Sequence, residues 1–267
     1  FYRQRWLDAG VDLTRLGSAV HLEFLPVLRK CDLPVDMPVD RDVLRRRRWR
    51  FVRALLEAGY VPGERVMLIS DEPLPAGAAL CRWTHADPRQ GEDEVFDTFV
   101  GVRPRVLYGP LSSLLPIARR LLSSPQVKAR PRLVVSTGQQ LTDTHRALLE
   151  RAFNAPLADF YSTAEFGLVA YSLPGRSAYR IVPQEFHIEL VPTLNRNGME
   201  RLVVTGPGGN GLPLIRFDTG DLVRRDRERV GAPIVQITGR QADAPRLAND
   251  HGWQTTALWP QATLSCS

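Results

Sequence analysis

Apolar positions along the chain change period twice, and those changes divide it into three stretches. From Phe1 to about Leu33 the pieces WLDAGVD and LEFLPVLRKCDL read as a helical lead-in interrupted by Pro26. An extended, proline-punctuated PVDMPVDRD follows. It runs into a helix with Leu44, Phe51, Val52, Leu55 and Leu56 as its apolar stripe and Gly59 in the C′ position. Arg65–Ser70 reads as a short buried strand, and Asp71 to about Asp93 is too rich in Pro, Gly and Ala to assign.

Beyond that point strands and helices alternate. Strands are predicted at Arg105–Tyr108, Arg132–Ser136 and Leu157–Tyr161, with helices at Leu111–Leu122 and Thr142–Phe153. That order predicts βαβ units and a parallel or mixed sheet. From about Ile181 the helical period vanishes. Glu185–Val191, Arg201–Thr205, Leu212–Arg216, Asp221–Arg225 and Ile234–Thr238 read as strands, with Thr219-Gly220 as a tight hairpin turn placing Asp221 at a strand start. The expected organisation is an α/β part over residues 1–180 and a β-rich part over 181–267.

Composition changes this picture little. Of 267 residues 43% are apolar and 24% charged, ordinary for a globular protein, and no apolar run is long enough to span a bilayer. Cys31, Cys81 and Cys266 have no metal-ligand spacing, which suits a reducing cytoplasm. The net charge of +6 is carried almost wholly by arginine, since Lys30 and Lys128 are the two lysines. The densest run, Arg45 to Arg48 with Arg50, lies on the helix that stops at Gly59, where a solvated face is expected. Nucleic-acid binding through that helix ranks last, because aromatic interleaving is sparse. His145 and His187 fit surface or structural positions.

Four short segments carry candidate chemistry. In STGQQL (Ser136–Leu141) a strand ends at Gly138 before a helix, where a flat ligand can approach the backbone. In DFYSTAEFG (Asp159–Gly167), Glu165 is a carboxylate able to hold Mg²⁺, which takes one or two protein carboxylates and completes its shell with phosphate oxygens and water; Tyr161 offers an aromatic wall. In GLPLIRFDTGDL, Asp221 can accept two hydroxyl hydrogen bonds, and in ITGRQAD, Arg240 can clamp a phosphate or ribose.

In this order and spacing the four segments resemble the AMP-forming adenylating enzymes, most closely their phenylacetate–coenzyme A ligase-like and capsule-biosynthesis adenylyltransferase-like branch. PLIRFDTGDL is similar to that branch's PLIRYRTGDL and is the most specific match. The FYRQRWLDAGVD opening and the VLYGPLSSL helix start extend the likeness over nearly the whole chain.

The resemblance implies the large N-terminal domain of an enzyme using ATP and Mg²⁺. A small aryl or acyl carboxylic acid would be activated as an acyl-adenylate and passed to coenzyme A or another thiol or amine. It further implies Gly138 and Tyr161 against the base, Thr163 in the cofactor loop, and Glu165 on the metal. Asp221 would meet the ribose, Arg240 ribose or phosphate, and Asp243 would be the hinge. Leu111, Phe166, Leu168, Val169 and Tyr171 would line the acyl pocket, or else be plain core.

The chain departs from that family's pattern in three places. A Ser/Thr/Gly-rich phosphate loop belongs between Leu33 and Pro34, where none stands; either it is omitted at this junction or the triphosphate cradle is lacking. Neither Lys30 nor Lys128 lies near Asp243, so neither can be the lysine of the C-terminal lid; that lid, absent from this sequence, is either disordered or cut away, or lacking. Within the family's YGxTE the chain has Ser162 for Gly and Ala164 for the phosphate-contacting Thr, and Ala242 replaces the first Asp of GRxDD. A degenerate, non-catalytic nucleotide- or partner-binding relative is therefore the alternative to an enzyme.

Overall fold

The computed structural model describes residues 1–12, 22–33, 41–71, 82–182, 184–193, 198–208, 212–225 and 234–240, without the side chains of Val235, Gly239 and Arg240. Cys81, Cys266, Pro34, Ala242 and Asp243 lie outside these residues, so the expected loop junction and hinge do too.

Five strands run parallel: β1 (Val66–Ile69), β2 (Trp83–Ala86), β3 (Val106–Pro110), β4 (Leu133–Thr137) and β5 (Leu157–Thr163). Six more pair antiparallel: β6 (Gly167–Ser172), β7 (Tyr179–Ile181), β8 (His187–Pro192), β9 (Glu200–Pro207), β10 (Pro213–Arg225) and β11 (Ile234–Arg240). Among the described residues they make one mixed sheet ordered β2-β1-β3-β4-β5-β6-β7-β11-β10-β9-β8. The expected boundary at residue 180 falls inside β7, which joins the two parts through Ile234 opposite Tyr179.

The helices are α1 (Tyr2–Asp8), α2 (Arg41–Glu57), α3 (Glu92–Val102), α4 (Leu111–Ser123) and α5 (Asp143–Phe153). Strand period two sorts side chains to opposite faces of the parallel part. Met67, Ile69, Leu107, Val134 and Leu157 meet α3, α4 and α5, while Val66, Leu68, Val106, Val135 and Phe160 meet Phe51 and Leu55 of α2. A third cluster, with Phe166, Val169, Val204, Leu214 and Phe217, fills the antiparallel part.

Local chemistry sets the element ends. Helix α2 closes as expected from Gly59. The N–H of Gly59 bonds Leu56 O and that of Tyr60 bonds Leu55 O, the Schellman pattern, with Gly59 at φ +108°. The Thr142 hydroxyl accepts the His145 N–H and starts α5.

Two sequence expectations are corrected. Thr219-Gly220 is no hairpin turn: β10 runs through it as one strand. Between Asp218 and Leu222 it carries two more residues than β9, whose Val203 and Arg201 oppose those positions. Gly220, at φ +78°, absorbs this bulge, so a glycine needed for positive φ was correctly located but the structure around it was not. Nor is the arginine run of α2 wholly solvated. Arg45, Arg46 and Arg48 are exposed, but Arg47 and Arg50, three residues apart on one helix face, are each only 4% exposed.

Candidate active site

The carboxyl ends of the parallel strands form the crevice at which open α/β sheets bind ligands. Gly138 directly follows β4 with φ +73°, a left-handed conformation natural to glycine. Its neighbour Gln139 accepts the Ser112 N–H at 2.6 Å through Oε1, fixing the turn to the first residues of α4. One strand over, β5 ends at Thr163 and reverses through residues 164–166 into β6, so Glu165 stands on the next turn of the same rim.

Within β5, Tyr161 points to the antiparallel half of the sheet. Its hydroxyl donates to Asp221 Oδ2 at 2.5 Å. Burial, then the Asp221 charge, pushes the Tyr161 hydroxyl well above the ordinary tyrosine range, so it remains a donor at neutral pH. Asp221 lies at the end of the β10 bulge, its N–H bonded to Thr219 Oγ1, and is itself buried. Across the β10–β11 ladder its partner is Arg240. The expected ribose and phosphate residues are thus neighbours by register, joined by Tyr161 to the turn of Glu165, whose charge Tyr161 also senses.

Lys30 is a residue that sequence reasoning set aside because of its distance from the C-terminus. Its ammonium lies 3.8 Å from Glu165 Oε1, and the Glu165 side chain is 11% exposed. The lead-in reaches this place because it is docked on β10. Leu28 bridges to Phe217, with its N–H on Arg216 O and its carbonyl accepting the Asp218 N–H. Arg216 is buried at φ +52°, on a bulge of its own; it pairs with Glu189 and donates to the carbonyls of Glu23 and Leu25. Tyr2 reinforces the docking through Pro213 O at 2.6 Å. No short-range pattern announces contacts of this kind.

Thr163 is buried, and its hydroxyl accepts the Phe166 N–H at 3.2 Å, closing the turn of Glu165. Leu111, Phe166 with Val169, and Leu168 with Tyr171 belong to three different apolar clusters, the plain-core alternative for these residues. The Tyr171 hydroxyl is used by Glu57 at 2.6 Å. Leu168, Val169 and Tyr171 lie in β6, which is buried on both faces. Among the described residues no three His, Cys, Asp or Glu side chains group around a metal position. One carboxylate at a turn still suits Mg²⁺ held largely by phosphate oxygens.

Neither a family model nor a curated protein matches the chain. Solved structures do. An open form of 2-hydroxyisobutyryl-CoA ligase, in complex with 2-HIB-AMP and CoA, superposes with a TM-score of 0.68 at 18% identity, covering 90% of this chain and 65% of the ligase. A benzoate CoA ligase from Burkholderia xenovorans LB400 gives 0.57 at 18% identity, covering 76% and 46%. A malonyl-CoA ligase complex with methylmalonyl-CoA and AMP gives 0.54 at 21%, covering 77% and 50%. The fold is that of the large domain of the adenylate-forming ligases. The chain spans 65% or less of the length of these three structures. Among its described residues no helix is long and apolar enough to cross a membrane.

Proposed function

We propose that the chain forms the nucleotide-holding part of an enzyme that joins a small carboxylic acid to AMP. The acid oxygen attacks the α-phosphorus of ATP and pyrophosphate leaves; a thiol such as that of coenzyme A, or an amine, then displaces AMP. The observation that carries this reading is the Tyr161–Asp221 bond with Arg240 opposite Asp221. It gathers an aromatic wall, a hydroxyl-accepting carboxylate and a guanidinium-bearing residue beside the turn of Glu165, on a fold shared with ligases whose structures hold acyl-adenylate or AMP.

Carboxylate and triphosphate repel, so the work of the site is positional and electrostatic. Asp221 would fix the ribose, the Gly138 turn would let the base lie on the backbone, and Arg240 and Lys30 would offset phosphate charge. Mg²⁺, when bound through Glu165, would supply further neutralisation of the phosphates.

Glu165→Gln and Arg240→Met are expected to lower kcat by at least about a hundredfold, with nucleotide affinity changed less than about tenfold. ATP–pyrophosphate exchange on the full chain with a panel of aryl and short acyl acids is the measurement. Absence of exchange with every acid, alongside AMP binding, would favour the non-catalytic reading. Ala164 motivates that alternative, because its exposed methyl stands where the resemblance has a phosphate-contacting hydroxyl.

A further inference from the structure

We propose that Arg47 and Arg50 of α2 are positioning residues that hold the turn of Glu165 from behind. The inference rests on the reading of Glu165 as the carboxylate that faces metal and phosphate. Burying a guanidinium is costly unless its donors are used, and these two direct three of theirs to one turn, leaving both Nε atoms without a hydrogen-bond partner. Arg47 Nη1 donates to Ala164 O at 3.0 Å and Nη2 to Glu165 O. Arg50 Nη2 donates to Phe166 O at 2.9 Å. Three successive carbonyls of the turn are therefore held by one helix face.

The remaining contacts fix the two clamps themselves. Arg50 Nη1 lies 3.4 Å from Glu185 Oε2, and its guanidinium carbon stands 4.8 Å from the Phe186 ring centroid. The stem of Arg47 crosses Gly167, where an added Cβ would sit 3.2 Å from both Cγ and Cδ, so the glycine admits the arginine. With its carbonyls drawn to α2 and the Phe166 N–H closed on Thr163, the turn meets Lys30 through the Glu165 carboxylate. Arg47 also places a buried positive charge behind that carboxylate, and the two charges sense each other. An ordinary core contact would bury apolar stems without aiming two forks at consecutive carbonyls.

Hydrogen–deuterium exchange and Mg²⁺-dependent pyrophosphate exchange, on the full chain and on Arg47→Met, Arg47→Lys and Arg50→Met, test this together. Exchange across residues 163–168 is expected to accelerate by about ten- to a hundredfold, while β4 stays protected as the reference. The Mg²⁺ concentration for half-maximal activity should rise by about tenfold or more, with the KM for the acid within about twofold. Arg47→Lys keeps charge and stem but loses the fork, so it covers the case in which Met unfolds the domain; it should show the same localised loosening. Unchanged exchange at 163–168 overturns the proposal, as does local loosening with an unmoved Mg²⁺ dependence. A wild-type chain inactive toward every acid overturns the adenylation reading instead, and the exchange at 163–168 then decides the positioning claim alone.

Discussion

At the scale of single residues, the candidate site combines side chains whose chemistry is visible in isolation with others that only contact reveals. Gly138, Glu165 and Asp221 were singled out as a glycine or an acid beside a turn, and the family likeness raised them above ordinary turn residues. Arg47 was not, since its partner Ala164 is 117 positions away and its neighbours Arg45, Arg46 and Arg48 do face solvent. Asp159 was equally hidden. It is buried in β5, bonded by the Tyr179 hydroxyl, and burial pushes its carboxyl up to about 6 against the opposing effect of Tyr179, Ser136 and Arg146. A carboxyl whose folded pKa is raised binds its proton more tightly when folded. Its contribution to stability is therefore full below the unfolded value of about 4 and is lost as pH climbs to about 6. The stability of the wild type relative to Asp159→Asn, followed by urea denaturation, should fall over that interval and level off above it. A flat difference would show that Asp159 titrates normally.

At the scale of elements, most of the alternating βαβ stretch could be read because each strand is a short apolar run and each helix has a 3.6-residue stripe. The elements that escaped had weak or misleading signals. Helix α3 begins at Gly91 without a side-chain cap and ends at Arg103 in the left-handed region, so neither usual terminus marker is present. Strand β6 is buried on both faces and lacks alternation, so Leu168 and Tyr171 gave no strand signal. In β10 the glycine signal was real but ambiguous, because positive φ serves a bulge as well as a hairpin. Gly220→Ala separates backbone strain from crowding, since a Cβ there would meet nothing within 4 Å. It should cost about 1–2 kcal/mol in denaturant unfolding through φ alone. A neutral effect would mean that the bulge relaxes, and Asp221 would move with it.

At the scale of the whole molecule, one sheet changes from parallel to antiparallel at β5–β6, with Tyr161 and the turn of Glu165 at that change. Their placement is a property of the strand order. The β4 and β5 ends bring Gly138 and Glu165 to one rim, while β10 and β11 return later in the chain with Asp221 and Arg240 in register. The pairing of Asp221 with Arg240 and the bond from Tyr161 to Asp221 depend on which strands are neighbours, about which local patterning contained no information. The most direct test of a shared adenosine monophosphate cradle is amide hydrogen exchange on the full chain with and without saturating AMP. Protection is expected at 137–140, 161–166, 219–222 and 237–240 together, with the α3–α5 face unaffected. Binding that protects only one of these segments, or none, would contradict the common site.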